Sequence, residues 1–182
     1  MGQGEFRRIP RHIGVIPDGN RRWAESNGMD KKDGYRYGVD AGFEMYQLCR
    51  GLGVEELTLY GFTRDNTKRP VRQREEFRRA CVEAVMRLAG EDAALRVIGD
   101  DSSEMFPREL VQFTERREFG AANIKVNFLV NYDWAWDLSH AWRSREGPSA
   151  ARPGILRGIA SADVSRIDLI IRWGGRRRLS GF

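Results

Sequence analysis

Short apolar runs alternate along the chain with longer segments in which apolar residues recur every three or four positions. The runs HIGVI (12–16), ELTLYGF (56–62), LRVIGD (95–100), IKVNFLVN (124–131) and IDLIIRW (167–173) predict strands, being rich in β-branched and aromatic residues and bounded by polar turns. Residues 34–52 predict a helix whose Tyr35, Val39, Phe43, Leu48 and Leu52 share a face and which stops at Gly53. Residues 72–88 predict a second helix, with Phe77, Cys81, Val85 and Leu88 as its apolar stripe among many Arg and Glu. Further helices are expected over 107–119 and 133–143, and a loop over 144–154. This alternation predicts an α/β fold, a mostly parallel central sheet with helices on both faces, as a single domain over residues 1–182.

The polar clusters fall where such a sheet binds ligands, beyond the carboxyl ends of its strands. DGNRRW follows the first strand, TRDNTKRP the second, NYDWAWD the fourth and GGRRRLSGF the fifth. All four are expected on one rim.

Composition is ordinary for a globular chain, with 41% hydrophobic and 31% charged residues, which excludes wholesale disorder. The formal charge of +5 is uneven. Residues 143–182 hold nine arginines against Glu146, Asp163 and Asp168, a bias that suits a polyanion or is a solvated basic face. Cys49 and Cys81 both fall in predicted helices and read as reduced core thiols of a cytoplasmic protein. His12 and His140 have no metal-ligand spacing, MGQGEFRRIPRH lacks the apolar centre of a signal peptide, and no apolar run approaches the roughly 20 residues of a membrane span. Any membrane contact is therefore expected to be peripheral.

A strand ending in Asp18 and Gly19 and turning into a helix offers backbone N–H groups and a positive dipole end to a phosphate, with Arg21 and Arg22 adding charge-assisted contacts. Asp18 would repel that phosphate unless a cation lay between them. Mg²⁺ takes carboxylate and phosphate oxygens together. The alternative is that Asp18 and Asn20 merely cap the helix. In the second cluster Thr63, Asp65, Asn66 and Arg69 follow a strand whose Leu57, Leu59 and Gly61 form an apolar wall, and in the last Arg172, Arg178 and Ser180 can hold a second phosphate group. Two anion sites, one metal carboxylate and an apolar interior describe a prenyl diphosphate transferase better than a nucleotide enzyme, because neither GxxxxGK[ST] nor GxGxxG is present. DDSSE (100–104) reads as a solvated turn rather than an aspartate-rich metal motif, and Trp134, Trp136 and Trp142 as partly buried helix residues rather than nucleic-acid stacking platforms.

HIGVIPDGNRRWA, TLYGFTRDNTKRP, LRVIGD, NYDWAWD and DLIIRWGGRRRLSGF stand in order and at roughly the spacing found in cis-prenyltransferases of the undecaprenyl diphosphate synthase type, which this sequence resembles from His12 onward. The resemblance implies an apolar tunnel walled by the helices after Gly34 and Arg72, a homodimer, and Mg²⁺-dependent condensation of isopentenyl diphosphate with an allylic diphosphate, with no nucleic-acid partner. By position it implies that Asp18 holds the metal and is catalytic, and that Asn66 assists proton removal. It places Gly19, Asn20, Arg21, Arg22 and Trp23 around the allylic diphosphate, with Lys31, Tyr35, Thr63, Arg64, Asp65 and Arg69 as further contacts, and Arg172, Arg178, Leu179 and Ser180 at the isopentenyl diphosphate site. The sequence departs from the family pattern at Pro17, Tyr35, Thr67, Arg176 and Gly181, and the family's C-terminal segment with a second metal-binding glutamate is expected to lie beyond Phe182. The alternatives the resemblance carries are irregular, lavandulyl-type coupling of two allylic diphosphates and a non-catalytic subunit. An RNA-binding module is a further one.

Overall fold

A computed structural model describes residues 8–143 and 156–182, apart from the Arg143 side chain. The predicted loop over 144–154 and the first seven residues of the N-terminal stretch lie outside them. In chain order the elements are β1 (His12–Ile16), α1 (Asn20–Ser26), α2 (Asp33–Gly51), β2 (Glu56–Thr63), a 3₁₀ turn (Arg64–Lys68), α3 (Val71–Leu88), β3 (Ala93–Ile98), a second 3₁₀ turn (Arg108–Phe113), β4 (Arg117–Glu118), β5 (Ile124–Tyr132), α4 (Trp134–Arg143) and β6 (Leu169–Arg172). The six strands form one sheet in the order β4-β3-β5-β2-β1-β6, parallel except for β4.

Strand alternation divides the core into two layers. Val15, Leu57, Leu59, Val97 and Phe128 face α2 and α3, where they meet Tyr46, Cys49, Cys81, Val85 and Leu88. Ile16, Tyr60, Ile98 and Leu129 face the other way, against Trp136 of α4 and Val164. Helical segments thus cover both faces, as the pattern predicts. Both cysteines are buried and free, and burial pushes their thiols up to about 11 for Cys49 and about 12 for Cys81, so neither is a nucleophile at neutral pH.

Four expectations are corrected. Leu48 is exposed, and Tyr46 and Cys49 are buried in its place; at 100° per residue Leu48 stands about 220° round the helix from Tyr35, whereas Tyr46 and Cys49 lie within about 40° of it. Residues 107–119 form no α-helix: a 3₁₀ turn over Arg108–Phe113 buries Leu110 and Phe113, and Arg117–Glu118 then pairs with β3. The apolar run IDLIIRW reads as a buried strand, but among the described residues β6 stands at one end of the sheet with Leu169 and Ile170 exposed. Of the three tryptophans in α4 only Trp136 is buried; Trp134 and Trp142 are exposed. The turn over residues 100–104 is borne out, with the Ser102 hydroxyl donating to Asp100.

Beneath residues 160–168 the second layer carries a buried polar network. The fully buried His12 ring sits with Nδ1 2.9 Å from the Ser165 carbonyl and Nε2 2.8 Å from the Thr58 hydroxyl. A carbonyl only accepts, so Nδ1 carries the proton and Thr58 donates to Nε2. Asn127 Nδ2 donates to Glu56 at 2.6 Å and to Thr58 at 3.1 Å. Burial lowers the His12 pKa below 6.5, against the opposing pull of Glu56 and the Ser165 carbonyl. His12 is therefore neutral when folded, and its contribution to stability is complete above the unfolded value of 6.5. It declines as pH falls from there toward the folded pKa, because only the unfolded chain takes up the proton. The urea midpoint is expected to drop between about pH 7 and pH 5, and His12→Gln to flatten that slope; an equally steep slope in the variant would assign the titration elsewhere.

Candidate active site

The carboxyl ends of β1, β2 and β6 surround one polar cleft of about 700 Å³. It is lined by Asp18, Gly19, Asn20, Arg21, Arg22, Lys31, Tyr35, Thr63, Asp65, Asn66, Arg69, Arg172, Arg178 and Ser180, all expected from the sequence. Trp23, Arg64 and Leu179 do not line it: Trp23 packs on Tyr37 at 4.8 Å, Arg64 pairs with Asp133 at 3.4 Å, and Leu179 is exposed. The NYDWAWD cluster accordingly stands beside the cleft, so three of the four clusters form its walls. Six cations face three carboxylates there, the third being Glu25, which pairs with Lys31 at 2.8 Å.

Asp18 is placed by a left-handed turn. Gly19 has φ 94°, and a side chain there or at Gly174, φ 77°, would collide with the other strand's loop, so glycine at both lets the ends of β1 and β6 meet. Asp18 does not cap α1. Its Oδ1 accepts from the Gly19 N–H at 2.7 Å, and its Oδ2 accepts from Arg172 at 2.7 Å with Arg22 at 3.5 Å. Partial burial pushes its pKa up, but the Arg172 hydrogen bond, the Arg172 and Arg22 charges and the Gly19 amide outweigh that and hold it below the usual carboxylate value. The carboxylate is ionised at neutral pH.

Arg172 ties the last loop to Asp18 across the cleft. Its guanidinium is largely buried and donates to Asp18, to the Arg178 carbonyl at 2.6 Å and to the Ser180 hydroxyl at 3.1 Å. The Nε atoms of Arg172 and Arg21 are buried without a hydrogen-bond partner among the described residues. Such donors cost free energy unless an acceptor reaches them, which suits a cleft that receives phosphate oxygens.

The 3₁₀ turn places Asn66, with the Thr63 hydroxyl accepting from its N–H at 3.2 Å. Arg69 donates to the Tyr35 hydroxyl at 3.2 Å, and Tyr35 stacks on Phe77 at 4.9 Å. These residues mark the junction with an apolar slot between α2, α3 and the sheet, because Pro17, Asn20, Tyr35, Gly61 and Phe77 line both spaces. Leu59 and Gly61 form its wall as expected from β2, while Leu57 lies deeper in the core. A side chain at Gly61 would run into Phe128 and block the way.

Sequence reasoning missed Tyr60, whose hydroxyl donates to the Tyr132 carbonyl at 3.2 Å and the Ser180 carbonyl at 3.3 Å, tying the last loop to β2. A tyrosine inside an apolar strand, needing a partner for its hydroxyl, was the available signal. Phe77 was read only as a buried stripe residue.

Comparison with known proteins identifies the chain's relatives. Residues 16–182 match the family described as "Putative undecaprenyl diphosphate synthase". The chain is 36% identical to the isoprenyl transferase of Nitrosomonas europaea, over all of this chain and 73% of that protein. It is 33% identical to the (2E,6E)-farnesyl-diphosphate-specific ditrans,polycis-undecaprenyl-diphosphate synthase of Pseudomonas putida, over 96% of this chain and 75% of that one. Lavandulyl diphosphate synthase from Lavandula x intermedia, solved with dimethylallyl diphosphate, shares the fold with a TM-score of 0.80 at 22% identity, over 95% of this chain and 81% of that one. With its match over nearly the whole chain and a cation-lined cleft opening on an apolar slot, the chain belongs to the undecaprenyl diphosphate synthase family of isoprenyl transferases.

Proposed function

We propose that the chain condenses isopentenyl diphosphate with an allylic prenyl diphosphate, giving a cis-polyprenyl diphosphate. The observation that carries this reading is the sharing of one cleft by Asp18, two arginine-rich walls and the mouth of the apolar slot. Arg21, Arg22 and the Gly19 turn hold the allylic head, and Arg172, Arg178 and Ser180 hold the isopentenyl head.

The reaction breaks the allylic C–O bond, whose electron pair leaves with diphosphate. The isopentenyl double bond attacks the allylic carbon, and the proton lost from isopentenyl C2 goes to the departing diphosphate. Arginine donors aimed at the leaving oxygens stabilise the charge that develops there, about 3 to 4 kcal/mol for a well-placed donor. An amide is too weak a base to take the proton, so Asn66 orients the isopentenyl group toward the stronger acceptor.

Among the described residues no three His, Cys, Asp or Glu side chains gather as a metal cage. One cleft carboxylate fits Mg²⁺, which binds through one or two carboxylates, phosphate oxygens and waters, and each Asp18 oxygen keeps an acceptor position beyond its present bond. When bound it would supply charge neutralisation on the leaving diphosphate. We further read the chain as a single-domain, cytoplasmic homodimer with peripheral membrane contact at most; no helix among the described residues is long and apolar enough to cross a membrane.

Incubation with radiolabelled isopentenyl diphosphate, Mg²⁺ and dimethylallyl, geranyl or farnesyl diphosphate in turn is expected to give labelled polyprenyl product, and no product with any primer would refute the reading. Arg178→Ala should raise KM for isopentenyl diphosphate about tenfold or more while leaving that for the primer within about twofold. An unchanged KM for isopentenyl diphosphate would remove Arg178 from that head.

A further inference from the structure

We infer that Phe182, seated in a socket that Gly14 leaves open on the sheet, is the positioning residue that holds Arg178 and Ser180 at the isopentenyl head. This rests on the prenyl transfer proposed above and adds what fixes the last loop in place.

The loop after β6 is exposed from Gly174 to Ser180, and only at Gly181 and Phe182 does it become half-buried again. Its shape is not one the backbone prefers by itself. Ser180 stands at φ 55° and Gly181 at φ 85°, and the left-handed region is unfavourable for a residue that carries a Cβ, as serine does. Contacts on both sides hold the turn there. On one side Arg172 donates to the Arg178 carbonyl and the Ser180 hydroxyl. On the other, the Tyr60 hydroxyl donates to the Ser180 carbonyl, the Tyr60 and Phe182 rings lie 5.3 Å apart, and the Phe182 N–H donates to the Leu179 carbonyl at 3.2 Å.

The seat of Phe182 is made by a missing side chain. Along β1, His12, Gly14 and Ile16 share the face that meets Tyr60 and Trp136. A glycine inside a strand weakens it, and Gly14 has no left-handed φ that would call for glycine. The ring calls for it instead. A Cβ at Gly14 would stand 2.8 Å from Phe182 Cζ, 2.9 Å from Cε1 and 3.1 Å from Ile167 Cδ1. Phe182 and Ile167 therefore meet over bare backbone, and Phe182 packs from there against the cluster around Tyr60. Phe182 does not line the cleft, so its effect on substrate runs through the loop, two residues back to Ser180 and four to Arg178.

The test uses the whole chain in two measurements: steady-state kinetics with each substrate varied in turn, and limited trypsin digestion with cleavage after Arg176, Arg177 and Arg178 scored by mass spectrometry. Phe182→Ala is expected to raise KM for isopentenyl diphosphate about tenfold, the affinity lost when two side chains must be ordered at the moment of binding, while kcat and KM for the primer stay within about twofold. Cleavage in the loop should quicken about fivefold or more, with cleavage elsewhere unchanged. Phe182→Leu, which refills the socket in part, should recover most of both losses. Gly14→Val should push the ring out and reproduce the rise in KM with Phe182 intact. In the double variant the two effects should not add, because both act on one socket. Unchanged KM and cleavage in Phe182→Ala, an equal rise in KM for both substrates, or fully additive effects in the double variant overturns the socket alone. No product from the wild type with any primer overturns the transferase reading and the role at the isopentenyl head with it, while the trypsin result still decides whether the socket holds the loop.

Discussion

Asp18→Ala is expected to lower kcat by about three orders of magnitude or more while the urea midpoint stays close to wild type. A single leaving-group stabiliser is worth about 10²–10³ in rate, and loss of a bound metal removes several kcal/mol further. Stability should change little because the carboxylate is partly exposed at a rim rather than packed in the core, Arg22 is half exposed, and the largely buried Arg172 keeps the Arg178 carbonyl and the Ser180 hydroxyl as acceptors. Asp18→Asn separates the roles: it keeps an oxygen for the Gly19 N–H, and so the turn, but it lacks the negative charge. Steady-state turnover with labelled isopentenyl diphosphate should find the two variants equally inactive. Activity in Asp18→Asn within about tenfold of wild type would make Asp18 a turn-former.

Arg172→Ala is expected to produce the second largest effect, a fall of about 10³ in kcat/KM for isopentenyl diphosphate. The residue does two things at once. It pairs with Asp18, and it grips the loop that presents Arg178 and Ser180, so its removal unfastens the second anion site from the first. Arg172→Lys should recover little, because a lysine ammonium has no planar fork to span three acceptors and no Nε donor left over for a phosphate oxygen. Recovery to within a few-fold of wild type by lysine would show that charge alone matters there. Kinetics with each substrate varied in turn distinguishes these results.

Much of the fold was legible because the sheet is buried on both faces. Five of the six strands announce themselves as dense apolar runs, and α2 and α3 carry clear helical stripes. The errors came where local pattern had little to work with. Arg117–Glu118 has no apolar residue and is a strand only because Ala94 and Leu95 lie alongside it. Leu48 was grouped by residue type when its angle on the helix put it on the solvent side. The site was legible residue by residue because its polar clusters each follow a strand, and in a parallel sheet those ends assemble at one rim. What could not be read was which side chains point inward. Trp23 and Arg64 have neighbours that line the cleft, yet they turn outward, one onto Tyr37 and the other onto Asp133. Nor could the strand ladder alone reveal that Arg172 would bridge Asp18 to the last loop, since the two are 154 positions apart in sequence.

The central claim is that one cleft holds two diphosphates, joined at Asp18 and Arg172. The most direct measurement is a crystal structure of the chain with Mg²⁺, isopentenyl diphosphate and a non-hydrolysable allylic thiodiphosphate. The expected electron density shows one diphosphate against Gly19, Arg21 and Arg22 and another against Arg172, Arg178 and Ser180, with the allylic tail running past the stacked Tyr35 and Phe77 into the apolar slot. Density for a single diphosphate only, or for either head bound outside this cleft, would contradict the account.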